Sequence, residues 1–280
     1  MAAVRDSIRL GHISGIPVGL HWSLMVFAAI GMWNLADGLL PFIAPESGTP
    51  ATLLAALIGV IGLFASIVAH ELAHAVVARR CGVEVDGITL WMLGGVARLR
   101  SEPASAAAAG AIAAAGPAIS VVSGLVLAAM AWGGSVAGTG PLITGLVTYL
   151  AAINIVLAVF NLVPALPLDG GRIYQAWLWH RTGDPDRSTV RAAGVGRGLG
   201  ALLAGVGVAQ ALFADLAGLW LVLLGAFVIS LASAERRRAQ ARLQAARFQR
   251  LWSGPTGVGP VVAVASCPSP NDEVRRVDQR

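Results

Sequence analysis

Six long apolar stretches place the strongest constraint on how this chain can fold. A helix needs about 20 mostly apolar residues to cross the hydrocarbon core of a bilayer. Segments of that length occur at about residues 17–40, 51–80, 104–132, 142–163, 194–213 and 216–234. Only 12% of the 280 residues are charged, whereas soluble domains have about 25%. We therefore predict an all-α polytopic membrane protein with six transmembrane helices.

The distribution of arginine predicts how these helices are oriented. All 20 basic residues are arginine. Six crossings would put both termini on one side of the membrane, and every arginine falls near a terminus or near the two loops on that side. The opposite loops, near residues 41–50, 133–141 and 213–216, contain none. Cytoplasmic loops are enriched in arginine and lysine, so both termini are predicted to be cytoplasmic. This pattern accounts for the net charge of +5, and nucleic acid is not a predicted partner.

The chain is expected to have three parts. Residues 1–16 would form a cytoplasmic N-terminal segment, residues 17–235 the six-helix domain and residues 236–280 a cytoplasmic tail. The tail starts with a basic stretch, AERRRAQARLQAARFQRLW, that is typical of a helix beside anionic lipid, so membrane lipid is a predicted partner. The remainder is rich in Gly, Pro and Ser and is predicted to be disordered. No clear cleavage site for a secretory signal is present, so none is expected.

The segment between the second and third stretches is too polar to span a membrane. It contains two β-rich pieces, VEVDGITLWML and VARLR, separated by Gly94 and Gly95. A Gly-Gly pair permits the positive φ angles of a tight hairpin turn. We predict a small β-hairpin at the cytoplasmic membrane surface, with an irregular loop as the alternative.

The sequence HELAH lies near the end of the second apolar stretch. His70 and His74 are four residues apart, a spacing that stacks two side chains on one face of a helix. Two imidazoles so placed can bind one Zn²⁺, and Glu71 can then accept a proton from the attacking water. Such a spacing also occurs by chance. Titratable groups at membrane depth are costly, however, and are usually present for function. We therefore predict one zinc ion per chain.

A third zinc ligand is expected, because catalytic zinc usually has three protein ligands. Asp169 is the candidate. It lies in NLVPALPLDGGR, where two prolines and two glycines would break the fourth helix. Non-helical backbone at membrane depth is tolerated only where it lines a cavity or is buried in protein. Both Asp169 and HELAH fall toward the predicted cytoplasmic side.

Other polar residues in these stretches have weaker assignments. Asn161 could donate a hydrogen bond to a developing oxyanion, and a helix–helix hydrogen bond is an equal alternative. Asn154 is assigned a structural role. His21 could contact the pocket, but an interfacial position beside Trp22 is favoured. The small residues of GPAISVVSG in the third stretch are assigned to helix packing.

In combination, four motifs resemble the site-2 protease family of intramembrane zinc metalloproteases, peptidase family M50. They are HELAH, GGVARL, GPAISVVSG and FNLVPALPLDGGR, and the resemblance covers about residues 15–235 in matching order. It implies that His70, His74 and Asp169 bind zinc, that Glu71 is the general base and that Asn161 helps to stabilise the transition state. Members of this family cut the transmembrane segments of membrane-protein substrates, often after a first cut by another protease. Many also carry a cytoplasmic pair of CBS domains, for which residues 236–280 are too few.

Two other functions compete with proteolysis. A metal transporter or metal-binding membrane protein could use two histidines and an aspartate, but it would not need Glu71 beside the first histidine. A catalytically inactive scaffold is the third class, and the intact HELAH and Asp169 argue against it. The substrate is left open, and so is assembly into a homodimer. The absence of lysine and the abundance of Ala, Gly and Arg indicate a GC-rich bacterial genome, and hence the plasma membrane.

Overall fold

Six helices of the structure are long and apolar enough to cross a membrane. The computed structural model describes residues 7–13, 15–91, 94–99 and 101–252. Within these residues, the candidate spans are Ser23–Ile43, Thr49–Arg80, Ala106–Val136, Pro141–Asn161, Pro185–Phe213 and Gly218–Arg250. The prediction of an all-α membrane domain with six crossings is confirmed. The predicted disordered part of the tail, from residue 253 onward, lies outside the described residues.

The helices and strands are named in chain order. The strands are β1 (Ser7–Ile13), β2 (Ile16–His21), β3 (Val85–Trp91) and β4 (Gly94–Leu99). The first span consists of α1 (Ser23–Trp33), a π-helical stretch at Asn34–Leu39 and α2 (Leu40–Ile43). The other helices are α3 (Thr49–Arg80), α4 (Ala106–Val136), α5 (Pro141–Asn161), α6 (Asp169–Thr182), α7 (Pro185–Phe213) and α8 (Gly218–Trp252).

The first span begins at Ser23 and not near residue 17, because the residues before it form β2. Ile16 and Val18, two residues apart, are only 1% and 2% exposed. Burial of alternate residues is the pattern of a strand with one face on the core. The apolar run continues from β2 into α1, so hydropathy alone does not reveal where the strand ends.

The four strands form one sheet with the order β1-β2-β3-β4. The β1–β2 and β3–β4 pairs are antiparallel, whereas β2 and β3 are parallel. The predicted hairpin is confirmed as β3–β4, but its glycines are not at the turn. Gly94 and Gly95 belong to β4, where they pair with Trp91 and Leu90. Strands β1 and β2 and their addition to the hairpin were not predicted from the sequence.

The sheet packs against α3, the helix that carries HELAH. Ile16 of β2 and Ile88 of β3 form a buried cluster with Leu24 and with Ala75, the residue after His74. Both Ile88 and Ala75 are at most 1% exposed. The sheet therefore packs on α3 next to His74, at the residue that follows it.

A second contact joins α3 to α5. The side-chain amide of Asn154, which is 1% exposed, donates to Ser66 Oγ at 2.8 Å and to the Leu150 carbonyl oxygen at 2.8 Å. The structural role assigned to Asn154 is confirmed. Nearby, the backbone of α3 approaches α5 at Gly62, where a Cβ would lie 2.8 Å from Leu150 Cδ2.

The chain separates into two compact units, Met1–Gln240 and Ala241–Arg280. The first contains the sheet and the candidate spans up to the body of α8. The described part of the second is residues 241–252, the end of α8, which is helical throughout. The predicted basic helix at the start of the tail is thus part of α8.

Helices α7 and α8 approach each other through glycine. A Cβ on Gly200 of α7 would lie 2.8 Å from the Gly225 carbonyl oxygen of α8 and 2.8 Å from Ile229 Cγ1. Backbone atoms cannot move aside as a flexible side chain can. By contrast, a Cβ on Gly198, in the same helix, would have no neighbour within 4 Å.

We expect Gly200→Ala to lower the melting temperature of the purified protein, because forcing a methyl group into a packed interface costs about 1–3 kcal/mol. Gly198→Ala is the matched control. It should leave the melting temperature unchanged or raise it, because alanine favours a helix over glycine by about 0.5–1 kcal/mol. Equal melting temperatures for the two variants would contradict this account of the α7–α8 contact.

Candidate metal centre

The two histidines of HELAH lie together on one face of α3. This helix runs for 32 residues from Thr49 to Arg80, with its only proline in the first turn. His70 is 4% exposed and His74 is half-buried. Their Nε2 atoms are 3.2 Å apart, and the rings meet edge to face with centroids 4.9 Å apart. The pairing predicted from the spacing is present.

Asp169 reaches the same point from another part of the chain. Helix α5 ends at Asn161, and α6 begins at Asp169 after a turn. Asp169 Oδ2 lies 3.1 Å from His70 Nε2 and 3.3 Å from His74 Nε2. The predicted break in the fourth span is therefore observed. It is followed by a helix, α6, that the sequence analysis did not predict.

Glycines allow α6 to start so close to the preceding turn. A Cβ on Gly170 would overlap the Leu162 carbonyl group, and one on Gly171 would overlap the backbone of Ala165 and Leu166. The turn is also held from α7, where Ala192 and Ala193 are fully buried against Leu166. Residues 170 and 171 thus permit the fold that brings Asp169 to the histidines.

Helix α4 supplies a third side of the cluster, which the sequence analysis missed. Ser120 Oγ lies 2.9 Å from His70 Nδ1, and the Ile112 carbonyl oxygen lies 2.6 Å from His74 Nδ1. Gly116, Ser120 and Gly124, the small residues of GPAISVVSG, are four residues apart, and the sequence assigns all three to helix packing. That assignment is confirmed for Gly124, where a Cβ would lie 2.6 Å from Ile155 Cδ1 of α5. The four-residue spacing revealed a shared face, but not that part of this face meets the histidines.

The remaining residues singled out in the sequence are Glu71, Asn161 and His21. Glu71 follows His70 on α3 and is half-buried. Asn161 is the last residue of α5, and its side-chain amide donates to the Leu157 carbonyl oxygen of the same helix at 2.9 Å. His21 ends β2 and lies 2.8 Å, by its Nδ1, from Ser23 Oγ. Its ring is tilted against that of Trp22, with centroids 5.5 Å apart.

His70, His74 and Asp169 are placed so that together they could hold a metal ion. Within the described residues, they form the single group of three or more His, Cys, Asp or Glu whose ligand atoms all lie within 4.8 Å of one another. Two imidazoles and a carboxylate are a donor set that suits a divalent transition metal. The side chains of His70, His74 and Asp169 are 5%, 13% and 15% exposed, so the group has little contact with solvent.

Comparison with known proteins gives consistent results. The family model described as Peptidase family M50 matches residues 58–144 and 129–205. The chain is 41% identical over 238 residues to "Putative zinc metalloprotease Rip3" of Mycobacterium tuberculosis, covering 84% of this chain and 60% of that protein. It is 36% identical over 246 residues to "Putative zinc metalloprotease sll0528" of Synechocystis, covering 88% of this chain and 64% of that protein. It therefore spans less than two thirds of the length of either relative.

A solved structure agrees with the fold. The site-2 protease from Methanocaldococcus jannaschii superposes with a TM-score of 0.53 and 31% sequence identity, covering 82% of this chain and 95% of that one. The matched residues of the family model include the HELAH motif, the GPAIS segment of α4 and the turn before Asp169. The chain belongs to peptidase family M50, the family of the site-2 proteases.

Proposed function

We propose that this protein is an intramembrane zinc metalloprotease that hydrolyses peptide bonds within or near the transmembrane segments of other membrane proteins. One observation carries the proposal. His70, His74 and Asp169 converge from two distant parts of the chain, inside a bundle of apolar helices, with Glu71 next to the first histidine. The names of the relatives Rip3 and sll0528 describe them as zinc metalloproteases, which supports the same conclusion.

The spacing of the three ligand atoms fits zinc. Their separations are 3.1, 3.2 and 3.3 Å. Two nitrogen or oxygen ligands that each lie about 2.0–2.1 Å from a tetrahedral zinc are about 3.3 Å apart. The three atoms thus form one face of a tetrahedron of the right size, and the fourth position would be left for water or substrate.

The hydrogen bonds around the cluster also fit a cation. The Ile112 carbonyl oxygen can only accept, so the Nδ1 of His74 must carry the proton that it shares with this oxygen. In the neutral ring, Nε2 then presents a lone pair to Asp169 Oδ2, which has lone pairs of its own. A divalent cation would satisfy both groups at once, and zinc accepts this combination of ligands.

Gly116 leaves the space that such an ion needs. A Cβ at this position would lie 2.6 Å from His70 Nε2 and closer still to His74 Nε2. The backbone of α4 therefore passes directly beside the ligand atoms, and any side chain there would displace them.

In the proposed reaction, Glu71 moves the proton. When bound, zinc would supply Lewis-acid catalysis by polarising the scissile carbonyl group and increasing the acidity of water. Glu71 would accept a proton from the attacking water as the new C–O bond forms. It would then deliver that proton to the amine as the C–N bond breaks. Asn161 would stabilise the oxyanion by donating a hydrogen bond from its side-chain amide, one of whose two N–H groups is bonded to the Leu157 carbonyl oxygen.

The substrate must be extended at the scissile bond, because the carbonyl groups of a helix are hydrogen-bonded and shielded. We propose that the extended substrate pairs with β4, which is an edge strand of the sheet. Since β3 packs through Ile88 against Ala75 of α3, a peptide held by the sheet would be near the HELAH helix.

We further propose that the protein lies in the plasma membrane with both termini in the cytoplasm, where the arginines of α8 would contact anionic lipid. The absence of arginine from the loops near residues 41–50, 133–141 and 213–216 supports this orientation.

The orientation can be tested with reporters inserted after Gly138, between α4 and α5, and after Gly183, between α6 and α7. Alkaline phosphatase, which is active only outside the cytoplasm, should be active at Gly138 and inactive at Gly183. Green fluorescent protein, which folds in the cytoplasm, should give the opposite result. The reverse pattern for both reporters would show that the orientation is wrong.

Replacement of the general base separates catalysis from metal binding. We expect Glu71→Gln to retain zinc, because residue 71 is not a ligand, and to reduce cleavage of a membrane-protein substrate by about 10²–10⁴-fold. Zinc is measured by elemental analysis of the purified protein, and cleavage by gel electrophoresis. Glu46→Gln, in the exposed loop before α3, is the control and should cleave normally. Undiminished proteolysis by Glu71→Gln would rule out this base.

Replacement of Gly116 tests the metal site by steric means alone. We expect Gly116→Ala to purify without zinc, because the added methyl group would occupy the space beside His70 and His74. The control is Gly110→Ala in the same helix, where a Cβ would make an ordinary contact of 3.5 Å with Ala176. That variant should keep its zinc. A full zinc content in Gly116→Ala would mean that these histidines do not hold the ion.

A further inference from the structure

Each histidine of the cluster has its second ring nitrogen bonded to helix α4. The partner of His74 Nδ1 is the backbone oxygen of Ile112, and the partner of His70 Nδ1 is the hydroxyl group of Ser120. Ser120 lies four residues after Gly116, so one face of α4 both makes room for the ligand atoms and contacts the far side of the rings. Ser120 and His70 are 1% and 4% exposed, so water has little access to this contact.

We infer that Ser120 is a positioning residue for the metal site, whose hydroxyl oxygen accepts the Nδ1 proton of His70 and keeps the Nε2 lone pair directed at the metal. This inference rests on the proposed zinc site.

The donor in each of these hydrogen bonds decides which ring nitrogen is left for the metal. The Ile112 carbonyl oxygen can only accept, so the Nδ1 of His74 must carry a proton and donate. A serine hydroxyl can donate or accept, so it is compatible with either neutral form of His70. Only the form with the proton on Nδ1 leaves Nε2 free for a metal. Without a cation, Asp169 Oδ2, 3.1 Å from Nε2, would accept a proton from that nitrogen. A bound cation takes the Nε2 lone pair instead and so selects the form with the proton on Nδ1, in which Ser120 is the acceptor.

Packing alone does not explain a serine at this position. The neighbouring Gly124 packs on Ile155, and a small apolar residue would serve equally well for packing at position 120. The hydroxyl group is instead 2.9 Å from an imidazole nitrogen. Partners of this kind orient metal-binding histidines, and their loss typically weakens metal binding by about 10–100-fold.

The test compares Ser120→Ala with Ser123→Ala. Ser123 is a half-buried serine in the next turn of the same helix and serves as the control. Zinc affinity is measured for the full chain in detergent by competition with a chelator. We expect Ser120→Ala to bind zinc about 10–100-fold more weakly than the unaltered protein, and Ser123→Ala to bind it equally well. Adding zinc should raise the melting temperature of the unaltered protein and of Ser123→Ala more than that of Ser120→Ala. A purely structural role of Ser120 would lower the melting temperature equally with and without zinc.

The outcomes separate this inference from the proposed function. If the unaltered protein and Ser120→Ala bind zinc equally tightly, the role of Ser120 is wrong and the zinc site stands. If the unaltered protein binds no zinc, both are wrong. Should Ser120→Ala fail to fold, Ser120→Thr and Ser120→Val repeat the comparison, since they have nearly equal volume and only the first keeps a hydroxyl group. The threonine variant should bind zinc more tightly, and equal affinities would overturn the inference.

Discussion

Polar groups at membrane depth have no bulk water to pair with, so each must find a partner inside the protein. On α3 this requirement organises the bundle. Ser66, His70 and His74 follow each other at intervals of four residues and so share one face. Each meets a polar group outside α3: Ser66 meets Asn154 of α5, His70 meets Ser120 of α4 and Asp169 of α6, and His74 meets the Ile112 carbonyl group of α4. Among the described residues, no buried side-chain nitrogen or oxygen lacks a partner.

Close approach of backbones makes these pairings reachable. Short polar side chains can meet only where helices come near each other, and glycine permits this at several positions. Gly116 lets α4 pass beside the histidines, and Gly170 and Gly171 let α6 begin against its own preceding turn. On α7, a Cβ at Gly196 would lie 2.6 Å from the Leu166 carbonyl oxygen. The turn before Asp169 is thereby enclosed, and the position of the carboxylate depends on glycines that bear no chemistry themselves.

Much of this could be predicted from the sequence. The six crossings follow from hydropathy, and the pairing of His70 with His74 follows from their spacing. The involvement of Asp169 follows from the broken helix around it. The sequence does not indicate which residues of other segments contact each face of a helix or strand. The strand at residues 16–21 is as apolar as the helix after it. A serine at position 120 fits a helix-packing motif as well as it fits a hydrogen-bond partner of His70 Nδ1. Both depend on contacts between residues that are far apart in the chain, such as Ser120 with His70, which are 50 residues apart.

The parallel pairing of β2 with β3 carries information about membrane insertion. Between these strands the chain passes through two candidate spans, Ser23–Ile43 and Thr49–Arg80. Strands can pair only if they emerge on the same side of the bilayer, and an even number of passages returns the chain to the side it left. A molecule in which one of the two helices failed to insert would place β2 and β3 on opposite sides and could not complete the sheet. Pairing of β2 with β3 therefore requires that the HELAH helix and the span before it have both crossed the membrane.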